Sequence, residues 1–274
     1  MIGVFDSGFG GLTVLRELVK ALPSHDFLYL GDNARAPYGG RSFETIRRYT
    51  LEAVEYLFAQ GCPLVILACN TASARALRTI QMEDLPKLNP QNRVLGVLRP
   101  VVEIVGEGTE SGHVGILGTQ GTVRSLSYPI EIARFWPNLK VEQQACPMWV
   151  PLVENGELGS EGARYFVRKD LQALLSRDPL IDQLVLGCTH YPLLLDLIRS
   201  ELPAGVNLLN QAAVVAEKTR EYLEKHPEME DRLSKSGRVS FLTTDTIEHF
   251  EQGATAFFGQ KVQASWVRLD SFSR

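Results

Sequence analysis

Apolar residues along this chain fall into two alternating patterns. Short continuous apolar runs, bounded by Gly, Asp or Pro, alternate with longer stretches in which apolar residues recur three and four positions apart. The first pattern reads as strands buried on both faces, the second as amphipathic helices. Strands are predicted at Ile2–Phe5, Phe27–Leu30, Leu64–Leu67, Val94–Val97, Val114–Leu117, Val141–Ala145, Leu184–Leu186, Asn207–Leu209 and Val239–Thr243. Helical stretches such as Thr45–Ala59, Gly162–Leu175 and Ala213–Lys225 carry their charges opposite the apolar face. The alternation predicts an α/β protein with parallel sheets. Ligands in such folds bind beyond the carboxyl ends of the strands. The loops in GVFDSG, YLGDN and GILGT are therefore where a site is expected.

The pattern also echoes itself. VFDSGFGGLTVLREL is answered by GILGTQGTVRSLSY, each a strand, a Gly-rich turn bearing a hydroxyl and a helix. LVILACNTASARAL is answered by QLVLGCTHYPLLLDLI, each a strand, a small residue, Cys with Thr close behind, and a helix. Two similar halves related by a pseudo-twofold axis would set Cys69 and Cys188 across one cleft.

Composition narrows the class. The 274 residues are 45% hydrophobic and 22% charged with a net charge of -4, so neither a disordered chain nor a basic groove for nucleic acid is indicated. The start, MIGVFDSGFGG, has no cationic leader, and no apolar run reaches the length of a membrane span. A soluble, cytoplasmic protein is expected. The same Gly-rich start lacks the Lys-Ser/Thr of a phosphate loop and the spacing of a dinucleotide fingerprint. The four cysteines, Cys62, Cys69, Cys146 and Cys188, form no CxxC pair and no zinc spacing. Cys62 and Cys146 precede proline without acid/base neighbours and read as structural. Cys69 and Cys188 each stand at a strand-to-helix junction, where a helix N-terminus favours thiolate.

Two thiols facing one carbon suit a particular chemistry. One, as thiolate, removes an α-proton, and the other, as thiol, returns a proton on the opposite face. Cysteine ionises near enough to neutrality for both forms to be reached. The weak acidity of the α-proton demands further help from positioning and from hydrogen-bond donors. Ser7, Asn70, Thr71, Thr119, Thr122 and Thr189, with the backbone around Tyr38 and Gly39, are the donors available. Asp6 and His190 are the natural partners for proton management.

FDSGFGGLTVLREL (5–18), GDNARAPYGGRS (31–42), ACNTASA (68–74), GILGTQGTVRS (115–125), ACPMWVPLVENGE (145–157) and LGCTHYPLLL (186–195) together resemble the aspartate/glutamate racemase family, its glutamate-specific branch most closely. The resemblance implies two similar α/β domains, residues 1–96 plus 207–274 and an inserted 97–206, with the active site in the cleft between them. It implies Cys69 and Cys188 as the two acid/base residues, assisted by Asp6 on one side and by Glu154 and His190 on the other. It implies substrate contacts from Asp6, Ser7, Tyr38, Gly39, Asn70, Thr71, Thr189 and His190, and neither metal nor pyridoxal phosphate. Glutamate as substrate, D-glutamate for peptidoglycan as product and a homodimer are implied on the same ground.

Two positions depart from the family's usual pattern: Arg99-Pro100 where Glu-Pro is common, and Asn210-Gln211 where Asp-Ser is common. The chain also starts almost at its first strand, so activation by a cell-wall precursor through an N-terminal extension is not expected. A racemase of aspartate or another acidic amino acid, a non-catalytic binding protein on the same fold, and a hydrolase or lyase with one cysteine nucleophile stand as alternatives.

Overall fold

Each predicted strand forms, and the side chains within it divide by parity. In β1 (Ile2–Asp6), Ile2 and Val4 enter one apolar core while Phe5 enters another. In β2 (Phe27–Gly31) and β3 (Leu64–Leu67) the same split recurs: Phe27, Tyr29, Leu64 and Ile66 on one face, Leu28, Leu30, Val65 and Leu67 on the other. A strand with both faces covered has no polar face to alternate with, which explains the unbroken apolar runs. The computed structural model describes residues 1–269.

The remaining strands are β4 (Arg93–Gly96), β5 (His113–Gly118), β6 (Lys140–Ala145), β7 (Gln183–Gly187), β8 (Asn207–Leu209), β9 (Val239–Thr243) and β10 (Ala264–Trp266). One sheet runs β10-β9-β2-β1-β3-β4 and the other β6-β5-β7-β8, every pairing parallel. The four-stranded sheet repeats the order β2-β1-β3-β4 of the larger one. The sequence echo is thus a topological one: β1 corresponds to β5 and β3 to β7.

The chain leaves the first sheet at Val97 and returns after β8. The second sheet therefore extends to Leu209, whose partner is Val185, so β8 does not begin the returning segment as a boundary at 207 implies. A three-residue strand carries no period that tells which sheet it joins. β10 was absent from the predicted strands for the same reason.

A single apolar core continues from one face of the first sheet into the second. The helix Leu12–Ala21 helps to seal it, burying Leu12, Leu15 and Leu18 at helical spacing. Each such leucine contributes roughly 2 kcal/mol by leaving water. Behind it the Thr13 hydroxyl donates to the Thr189 carbonyl of the second half at 3.2 Å. Together these fix the loops after β1 against those after β7. Arg99, at the first crossing, pairs with Glu103 at 2.9 Å and lies 4.4 Å from the Phe135 ring centre. Asn210, at the second, caps the helix Gln211–Lys225 by accepting from the Ala213 N–H.

Candidate active site

Six loops converge beyond the carboxyl ends of β1, β2, β3, β5, β6 and β7. They enclose a cavity of about 30 Å³ that Cys69 and Cys188 both line, with Ser7, Tyr38, Gly39, Asn70, Thr71, Thr119, Glu154, Thr189 and His190. That volume holds roughly two waters. A groove of about 670 Å³ beside the crossings is larger, but neither Cys69 nor Cys188 lines it.

The two thiols sit in unlike surroundings. Cys69 caps the helix Asn70–Arg75, its sulfur 3.5 Å from the Ala72 N–H and 3.4 Å from the Ser7 hydroxyl. Burial, and next the Asp6 carboxylate, push its pKa up to about 12 against those two hydrogen bonds. Cys69 is a thiol at neutral pH. Cys188 lies 4.0 Å from His190 Nδ1, and His190 Nε2 lies 3.0 Å from Glu154 Oε1. Burial alone would lower the His190 pKa; hydrogen bonds and charge from Cys188 and Glu154 outweigh it and raise it to about 10. His190 is therefore an imidazolium whose Nδ1–H faces the Cys188 sulfur.

Asp6 and Thr122 stand behind the lining rather than in it. Asp6 Oδ1 accepts from the Gly8 N–H at 2.9 Å, and its Oδ2 from the Thr189 hydroxyl at 3.4 Å. Burial raises its pKa against the pull of His190 and these bonds. Its carboxylate thus acts on the cavity through Ser7's loop and Thr189. The Thr122 hydroxyl is turned to Thr119, 3.1 Å away, and buried there. Tyr38 lines the cavity, but its hydroxyl donates to Asp32, so its ring and backbone are what remain. Asp32 in turn holds Arg35 at 2.7 Å and the Thr244 hydroxyl at 2.8 Å.

Contacts across the cleft tie the halves together. Thr71 and Thr119 hydroxyls meet at 2.9 Å, and the Gly121 N–H donates to the Gly39 carbonyl at 2.9 Å. A Cβ at Gly39 would lie 3.1 Å from Thr119 Cβ, which explains glycine there. Sequence reasoning did not single out Gly8, Ala36, Pro37 or Val150, which also line the cavity. Their only signal is adjacency: Pro37 precedes Tyr38, Gly8 follows Ser7, and Val150 stands one helical turn before Glu154.

The model of the Asp/Glu/hydantoin racemase family matches residues 2–219. The chain belongs to this racemase family. As a racemase it is an isomerase. Its relatives agree over full length. The glutamate racemase of Geobacter metallireducens is 41% identical over 262 residues, covering 95% of this chain and 93% of its own. That of Streptococcus sanguinis is 38% identical over 269 residues and 98% of each chain. Among solved structures, a glutamate racemase isoform from Bacillus anthracis superposes with a TM-score of 0.87 at 35% identity, over 98% of this racemase and 97% of the other. The glutamate racemase of Francisella tularensis in complex with D-glutamate gives 0.86 at 30% identity, over 99% and 98%. No helix among the described residues is long and apolar enough to cross a membrane.

Proposed function

We propose that this racemase interconverts L- and D-glutamate, with Cys69 and Cys188 acting in turn as base and acid on opposite faces of the α-carbon. One observation carries the mechanism: thiols from equivalent loops of two similar halves line one cavity. In one direction Cys188, beside His190, acts as the base and Cys69 as the acid. The Cα–H bond breaks as an S–H bond forms on Cys188; the Cys69 S–H bond breaks as a new Cα–H bond forms on the other face. The thiols then hold exchanged protonation states, ready for the reverse passage. Between these events negative charge gathers on the substrate carboxylate, where hydroxyls of Ser7, Thr71 and Thr119 supply donors.

Glutamate is favoured by the relatives, which carry that name over the full length of the chain. The reading carries a cytoplasmic location, a supply of D-glutamate to peptidoglycan and, by analogy with the family, a homodimer. The test is circular dichroism of L- and of D-glutamate incubated with the purified protein, alongside aspartate. Loss of optical activity from both glutamate antipodes is expected, and aspartate turning over faster would reassign the substrate. Cys69→Ala and Cys188→Ala should each abolish racemisation. Full activity in either variant refutes the two-thiol mechanism.

A further inference from the structure

The two places where the chain crosses between the sheets meet at one side chain. Val97 follows β4 and Gln211 follows β8 closely, in corresponding parts of the two halves. The buried Gln211 donates from Nε2 to the Val97 carbonyl at 3.3 Å and accepts at Oε1 from Asn70 Nδ2 at 3.1 Å. The same Asn70 nitrogen donates to the Tyr128 hydroxyl at 2.9 Å. Asn70 lines the cavity, and its Oδ1 is buried without a partner in the protein.

The direction of each bond follows from the fixed end of this series. A backbone carbonyl can only accept, so Gln211 must turn its NH₂ toward Val97. Its oxygen then faces Asn70, and an acceptor there requires the Asn70 NH₂. With both amide hydrogens engaged, Asn70 has only an acceptor left to offer. Reversing Asn70 alone would set two buried oxygens face to face at Gln211. Reversing both amides moves the same conflict to Val97. Either arrangement leaves buried acceptors unsatisfied, which is costly.

We propose that Gln211 is a positioning residue: by holding the Asn70 oxygen as the group free for a ligand, it selects a substrate with a hydrogen-bond donor there, the α-ammonium of an amino acid. This rests on the glutamate reading for its substrate and adds a residue outside the cavity lining that sets the polarity of the site. A cation held beside the α-carbon also offsets the negative charge that develops during proton removal.

Gln211→Met keeps the length of the side chain and removes both of its bonds. Its KM for glutamate is expected to rise about tenfold, the effect of weakening one hydrogen bond to a charged group, with kcat changing less. Tyr128→Phe removes the other acceptor and should move KM in the same direction. In an Asn70→Ala background, Gln211→Met should change KM no further. A wild-type KM in Gln211→Met, or a full additional increase in the Asn70→Ala background, overturns the inference. If Gln211→Met does not fold, Tyr128→Phe carries the same comparison against Asn70→Ala. Failure of the wild-type protein to racemise glutamate is a separate outcome; it overturns the underlying reading, and the inference with it, before any variant is made.

Discussion

Gly10 packs its backbone against the Thr189–His190 turn of the other half, and an added methyl there gives a sharp test of how tightly the site is held. A Cβ built on Gly10 would lie 2.1 Å from Thr189 Oγ1 and 2.5 Å from His190 Nδ1. Ordinary contact begins near 3.4 Å, so the loop after β1 or the Thr189–His190 turn must give by more than about 1 Å. Both turn residues are buried and bonded, Thr189 to Asp6 and His190 to Glu154, so neither can swing into solvent. Overpacking of this kind costs about 1–3 kcal/mol of stability. A displacement of that size at His190 carries the Cys188 sulfur out of line and should lower turnover on the order of 100-fold. The assay is polarimetric turnover of saturating L- and D-glutamate by Gly10→Ala, with the thermal unfolding midpoint measured in parallel. Gly40→Ala is the control, because a Cβ there meets nothing within 4 Å. Wild-type turnover and an unchanged Tm in Gly10→Ala would refute the claim that this contact sets the geometry.

Two further variants probe the same site. His190 has its pKa raised from 6.5 to about 10, so between those values the unfolded chain loses a proton that the folded chain keeps. The stability it contributes, on the order of a few kcal/mol, is complete below about pH 6.5 and falls as pH rises toward 10. Urea unfolding of wild type and His190→Gln across that range should show the gap narrowing, and a gap constant with pH contradicts the assignment. Thr119→Val removes the cap on the Thr122 N–H and the bond to Thr71. A loss of about 1–2 kcal/mol with a raised KM is expected from denaturation and steady-state kinetics; an unchanged KM would show that this bond does not hold the cleft shut.

Much of this architecture was legible because the decisive signals are local. Ile2–Phe5 and Leu64–Leu67 read as doubly covered strands from their unbroken apolar character, and parity within them does the rest. The cysteine loops were found by what flanks them, and they do line one cavity. Where a residue's partner is distant in sequence the reading stopped short. The engagement of Tyr38 by Asp32, and the contacts of Gln211 with Asn70 and Val97, depend on side-chain geometry that no spacing encodes. The family resemblance implies a substrate contact from Asp6, whereas in the structure it stands behind the cavity lining. Its burial beneath the turn comes from the backbone N–H of Gly8, which claims its carboxylate. β10 and the pairing of β8 were lost for want of length.

The unlike surroundings of the two thiols have a consequence that thermodynamics bounds. Mirror-image amino acids have equal free energies in water, so a racemase must process both with the same kcat/KM whatever its own asymmetry. A protein built from two similar halves, one thiol beside a carboxylate and the other beside an imidazolium, can therefore favour one antipode only by trading tighter capture for slower release. The inequality of the halves sets which hand the enzyme holds longer, never which hand it leaves in excess.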